Sequence, residues 1–179
     1  MTKTLPLRFA PLALLALVGA CASPPDATVA ASTPPLVLEE FFPGRTVGQG
    51  VFTNSWTGSE RRFDVVIDST WDGRTLTLVE DFVYADGEKS KRVWRLTRVG
   101  ERRWEGRAAD VIGTAQGEEA GNAFQFGYRM NLKVGDSTWA VRFDDWMFRI
   151  DEDVVLNTAQ IYRWGIWIGT VQLSFRRLP

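Results

Sequence analysis

From residue 60 onward, apolar and polar side chains alternate along the chain. A period of two is the spacing of strands with one buried and one wet face. Phe63, Val65 and Ile67 alternate with Asp64 and Asp68, and Asp72-Gly73 follows as a hairpin turn. Leu76, Leu78, Phe82 and Tyr84 alternate next, closed by Asp86-Gly87. Lys91 to Val99 predicts a third strand, ending at Gly100. Trp104 to Gln116 predicts one interrupted strand or two short ones, with Gly106 and Gly113 as bulges or bends. The cleanest alternation is Phe124, Phe126, Tyr128, Met130 and Leu132, followed by a turn at Gly135-Asp136. Trp139, Val141, Phe143 and Met147 repeat it up to Asp151, and Val155 to Arg163 and Trp167 to Phe175 complete the series around Gly165.

This predicts an all-β domain of about eight to ten strands in successive hairpins. Such a meander favours an antiparallel up-and-down β-barrel, which leaves no exposed sheet edge. A barrel of that size is filled by side chains or holds one small ligand. A short helix is expected over Leu36 to Phe42, between Pro34-Pro35 and Pro43-Gly44.

The pattern before residue 36 is different. Met1 to Ala20 reads as a secretory signal, with Lys3 and Arg8 as its basic start and Phe9 to Val18 as its apolar segment. That segment is well short of the roughly 20 residues needed to span a bilayer. Val18-Gly19-Ala20-Cys21 resembles a bacterial lipobox. In that pattern Cys21 is lipidated and becomes the mature N-terminus, with acyl chains such as palmitate anchoring it in a membrane. Ala22 stands where an aspartate would signal inner-membrane retention, so the expected location is the outer membrane, facing the periplasm. Residues 21–35 are rich in Pro, Ala, Ser and Thr and are expected to form a disordered tether. The organisation is therefore signal 1–20, lipidated tether 21–35 and barrel 36–179.

Composition then removes function classes. Lys plus Arg is 21 and Asp plus Glu is 22, a net charge of −1, unlike a nucleic-acid binder. The chain has no histidine, which excludes a Ser-His-Asp triad and histidine metal sites. Its single cysteine cannot form an intramolecular disulfide. Asp144, Asp145, Asp151, Glu152 and Asp153 do not have the spacing of a calcium loop. No metal or cofactor is expected, and a monomer is.

Two carboxylates carry the candidate chemistry. Glu80 shares its strand face with Leu76, Leu78, Phe82 and Tyr84, so it points into the barrel. Asp145 shares the inward face of Trp139, Val141, Phe143 and Met147, while Asp144 lies outward with Arg142 and Trp146. A buried carboxylate must meet a cation or be protonated. Each is expected to pair structurally with an arginine such as Arg95, to anchor a ligand, or to act as one of an acid/base pair of the glycosidase kind. Trp94 and Tyr128 would fill the core or line a pocket. Asn157 would cap a polar network or line the cavity. Gly121-Asn122 reads as a tight turn, or as a ligand contact at the mouth.

Several longer phrases resemble a known family. Leu36 to Gly50, Arg62-Phe63, Leu76 to Phe82, Tyr84 to Glu88 and Arg92-Val93-Trp94 are similar to the bacterial lipoproteins grouped as DUF3833. So are Gly121-Asn122-Ala123, Asp144-Asp145-Trp146-Met147 and Gly165 to Phe175. The resemblance implies a lipocalin-like barrel and leans toward a lipid role. It departs at Asn157-Thr158, where the family pattern has Asn-Arg, and the chain lacks the lipocalin Gly-x-Trp signature, Gly50-Val51-Phe52 being nearest. The resulting expectation is an envelope lipoprotein that binds a fatty acid, a phospholipid or another apolar small molecule. Glu80, Trp94, Arg95, Asn122, Tyr128, Asp145 and Asn157 would be its ligand contacts. The alternatives are an enzyme acting on a lipid-derived substrate through Glu80 or Asp145, and an interaction protein with a solid core.

Overall fold

The computed structural model describes residues 31–179. The signal, Cys21 and most of the tether lie outside the described residues. A one-turn helix α1 (Leu38–Phe41) is followed by β1 (Gly44–Asn54), β2 (Glu60–Trp71), β3 (Thr75–Tyr84), β4 (Lys89–Arg98) and β5 (Arg103–Arg107). Then come β6 (Ala115–Ala120), β7 (Ala123–Val134), β8 (Ser137–Arg149), β9 (Val154–Arg163) and β10 (Ile166–Arg177). Each strand pairs antiparallel with the next, and β10 returns to β1, closing a ten-strand barrel. The closing register runs from Thr46↔Arg177 to Asn54↔Gly169.

The turns are built from the residues that marked them. Gly73 has φ +93°, a region that an L side chain rarely adopts. Asp72 Oδ1 accepts from the Arg74 and Thr75 amides at 2.9 and 2.7 Å, holding the hairpin. Residues 104–116 form two short strands, β5 and β6, with Gly113 in the loop between them.

Gly106 corrects the expectation of a bulge. It sits in regular register opposite Leu96 and Ala115. Its role is room: a Cβ there would lie 2.5 Å from Phe126 Cζ. Gly117 likewise makes space for the ring of Phe124, at 2.4 Å.

The barrel has a sealed end and an open end. The sealed end carries the β2–β3, β4–β5, β6–β7 and β8–β9 turns, and α1 lies across it. Leu36, Leu38, Phe41 and Phe42 are buried there, each contributing about 1.5–3 kcal/mol through burial. The Leu36 amide donates to Gly121 O at 2.9 Å, and the Leu38 amide to Glu119 Oε1 at 2.9 Å. Arg98 bridges the floor to the wall, contacting Glu39 and, at 3.8 Å, Glu119. Phe42 meets Phe175 edge-on at 5.9 Å. The expected helix over Leu36 to Phe42 is therefore a single turn, whose neighbours serve as a plug.

Candidate functional site

A cavity of about 530 Å³ opens between the β1–β2 and β7–β8 turns and runs down into the barrel. Asn54, Trp56, Val134 and Trp139 line its mouth. Deeper, the wall is aromatic. Trp94 lies 5.1 Å from Phe126 and 5.2 Å from Tyr128, and Tyr128 stacks on Phe143 at 4.9 Å. A broader hollow of about 830 Å³ lies on the outer face over β1, β2, β9 and β10, with Val83 and Tyr84 of β3 and Phe148 of β8 at its edges. It is open to solvent, and neither Glu80 nor Asp145 lines it.

About midway down the cavity, five strands bring ionisable and polar groups together. Glu80 comes from β3, Arg92 from β4, Tyr128 from β7, Asp145 from β8 and Asn157 from β9. Arg92 binds Asp110 of the β5–β6 loop through Nε at 3.0 Å and Nη2 at 2.9 Å. Its Nη1 stands 4.0 Å from Glu80 Oε2, which is buried with no hydrogen-bond partner. Tyr128 donates its hydroxyl to Asp145 Oδ2 at 3.3 Å. The Asn157 amide donates to Asp145 Oδ1 and, at 3.1 Å, to Trp146 O.

Burial dominates the electrostatics. It pushes the Glu80 carboxyl up to about 7, against the pull of Arg92 and with added repulsion from Asp145 and Asp110. It also pushes Asp145 up to about 7, although Asn157 and Tyr128 donate to its ionised form. The Tyr128 hydroxyl is raised well above its ordinary value by burial and by Asp145. Two carboxyls poised near neutrality can hold a hydrogen-bonding ligand, or exchange a proton with one.

Glu80, Trp94, Tyr128, Asp145 and Asn157 thus converge on one cavity. Two expected contacts do not. Arg95 is exposed on the outer wall opposite Arg107, because it is one residue out of phase with Trp94. The inward arginine beside Glu80 is Arg92, which the sequence reading missed. The signal was available: Glu80 and Arg92 lie equally far from Asp86 of the Asp86-Gly87 turn, so the hairpin sets them face to face. Asn122 lies at the sealed end, where its amide donates to Arg149 O at 3.0 Å. It holds a turn and does not line the cavity. Asp144 points outward as expected, accepting from Gln125 Nε2 at 3.1 Å.

The rim around the mouth is apolar. Trp56, Trp164, Ile166 and Trp167 are 69%, 83%, 54% and 48% exposed. The β1–β2 and β9–β10 tips are tied together by Ser55, whose Oγ donates to Trp167 O at 3.0 Å. Arg163 lies over both Trp139, at 3.8 Å, and Trp164, at 4.1 Å. Among the described residues no cluster of three or more metal-ligating side chains occurs.

A closed antiparallel barrel with one sealed end and an aromatic-walled cavity is of the lipocalin-like class. Solved structures agree on the fold. The S-type phycobiliprotein lyase of Guillardia theta matches with TM-score 0.58 and 14% identity, over 80% of this chain and 94% of that one. A DUF3598-family protein of unknown function from Nostoc punctiforme matches with TM-score 0.55 and 13% identity, over 80% of this chain and half of that one. No curated protein matches. The family described as "Protein of unknown function (DUF3833)" matches residues 15–177, and the chain belongs to it.

Proposed function

We propose that this chain is a lipid-anchored envelope protein that takes up one small, mostly apolar molecule in its barrel. The observation that carries the reading is the cavity itself. Its walls are aromatic, its floor is plugged, and a few convergent polar groups lie at mid-depth, the usual form of a small-molecule site. An interaction protein with a filled core would have no such space. The exposed tryptophans of the rim suit a lipid surface, where amphipathic rings favour the headgroup level. They support exchange of the occupant between a membrane and the barrel. Anchoring through Cys21 keeps the protein at that surface.

The test is native mass spectrometry and lipid extraction on the full chain purified from bacterial membranes. One small molecule bound per protein is the expected result. A mass free of ligand, before and after incubation with a panel of apolar molecules, would overturn the reading. The anchor is tested separately: Cys21→Ser is expected to abolish incorporation of labelled palmitate and to move the protein out of the membrane fraction.

A further inference from the structure

The cations lining the cavity are Arg61, Arg92 and Lys133. Arg61 is bound to Asp86 at 2.8 Å and Glu88 at 2.7 Å, and stacks on Tyr84. Arg92 is held by Asp110 and faces Glu80. Lys133 stands exposed on the rim. Among the described residues, therefore, no cation at mid-depth is left unpaired for an anionic head.

Acceptors are in surplus there. Glu80 lines the cavity with 13% of its side chain exposed, and its shielded Oε2 has no hydrogen-bond partner. Asp145 has its two oxygens held by donors from the walls, Tyr128 and Asn157. A carboxylate or phosphate brought to this depth would meet two carboxyl groups and an arginine already neutralised. A donor would meet the exposed part of the Glu80 carboxyl, which no wall donor bonds, and a cation would also offset the repulsion among Glu80, Asp145 and Asp110.

We propose, resting on the reading of the cavity as a small-molecule site, that it selects molecules whose polar head donates hydrogen bonds, a protonated amine above all. That head docks on Glu80 beside Asp145, and the apolar part runs up the aromatic wall toward the mouth. Among the apolar molecules considered above, fatty acids and phospholipids entering head-first are thereby disfavoured.

Three probes of equal chain length separate the possibilities: decylamine, decanol and decanoic acid. Each is titrated calorimetrically, below its micellar concentration, into the full chain held in an amphipathic polymer. At pH 7.5 decylamine is expected to bind at least about tenfold more tightly than decanoic acid, with decanol between them. Its affinity should rise between pH 6 and 8, as Glu80 and Asp145 ionise in the field of Arg92, Asp110 and Tyr128. Glu80→Gln should remove most of the amine preference and flatten that pH profile, whereas Arg95→Ala, on the outer wall, should leave the ranking unchanged.

Decanoic acid binding as tightly as decylamine, or a ranking untouched by Glu80→Gln, would overturn the head-group assignment and leave the cavity reading standing. Binding of none of the three, to a protein that also carries no copurified ligand, would overturn both.

Discussion

At pH 8.5 the Glu80→Gln variant is expected to melt higher than the unchanged protein, and at pH 5 most of that difference is expected to have gone. A carboxyl raised by burial is one that the folded state prefers protonated. The stability it supports is whole below its ordinary value of 4.5 and is lost as pH climbs through about 7. Lifting Glu80 from 4.5 to about 7 corresponds to roughly 3 kcal/mol, at about 1.4 kcal/mol per tenfold. Glutamine keeps the shape and removes the ionisation, so the variant escapes that cost above pH 7. For a domain of this size the gain translates into roughly 6–12 °C in Tm. Differential scanning calorimetry of both proteins at pH 5, 7 and 8.5 measures it. Other carboxylates, such as Asp72 and Asp86, are held low by backbone hydrogen bonds and make both proteins acid-sensitive. They cancel in the difference between the two. A variant that melts lower at pH 8.5 would refute the reasoning, because Glu80 would then be a net stabilising partner of Arg92.

Three further outcomes follow from the packing and the hydrogen bonds. Tyr128→Phe removes a donor to Asp145, so the Asp145 carboxyl should titrate higher still, as read from its carboxyl carbon by NMR. Phe41→Ala opens the plug and should cost roughly 3–5 kcal/mol in urea unfolding. Gly117→Ala forces a Cβ against the Phe124 ring and should cost roughly 1–3 kcal/mol in the same assay.

Alternation made most of this barrel legible. Where apolar and polar residues interchange strictly, as in Phe124 to Leu132, one face must be buried, and the strand and its register follow. The same counting put Glu80 and Asp145 inside, against the rule that carboxylates stay wet. It failed where proximity in sequence replaced register. Arg95 looked a natural partner for an inward carboxylate, but one step along a strand reverses the face, and the hairpin delivers Arg92 instead. Asp110 was invisible because it belongs to a loop, laid beside β7 by the Asn131 amide donating to Asp110 O at 2.8 Å. No periodicity marks such a placement. Asn122 was legible as a turn residue, but not as one at the sealed end, because the end at which a turn lies depends on counting every hairpin before it. Gly106 misled for a related reason: a glycine in a strand shows that space is needed, not what fills it.

The two ends of the described chain meet at one pole of the barrel. Pro35 O accepts from Arg149 Nη1 at 2.9 Å beside the plug, and the Leu178 amide donates to Arg45 O at 2.9 Å nearby. The mouth is at the other pole. The molecule is thus vectorial: whatever holds it by either end pulls on the floor and leaves the opening free. For Trp56 and Trp164 to meet the membrane that holds the N-terminal segment, the barrel has to turn over on that segment. The fifteen-residue stretch from Cys21 to Pro35 has a covalent reach of at most about 50 Å. An anchor there would bound how far the opening ranges, by that reach together with the length of the barrel.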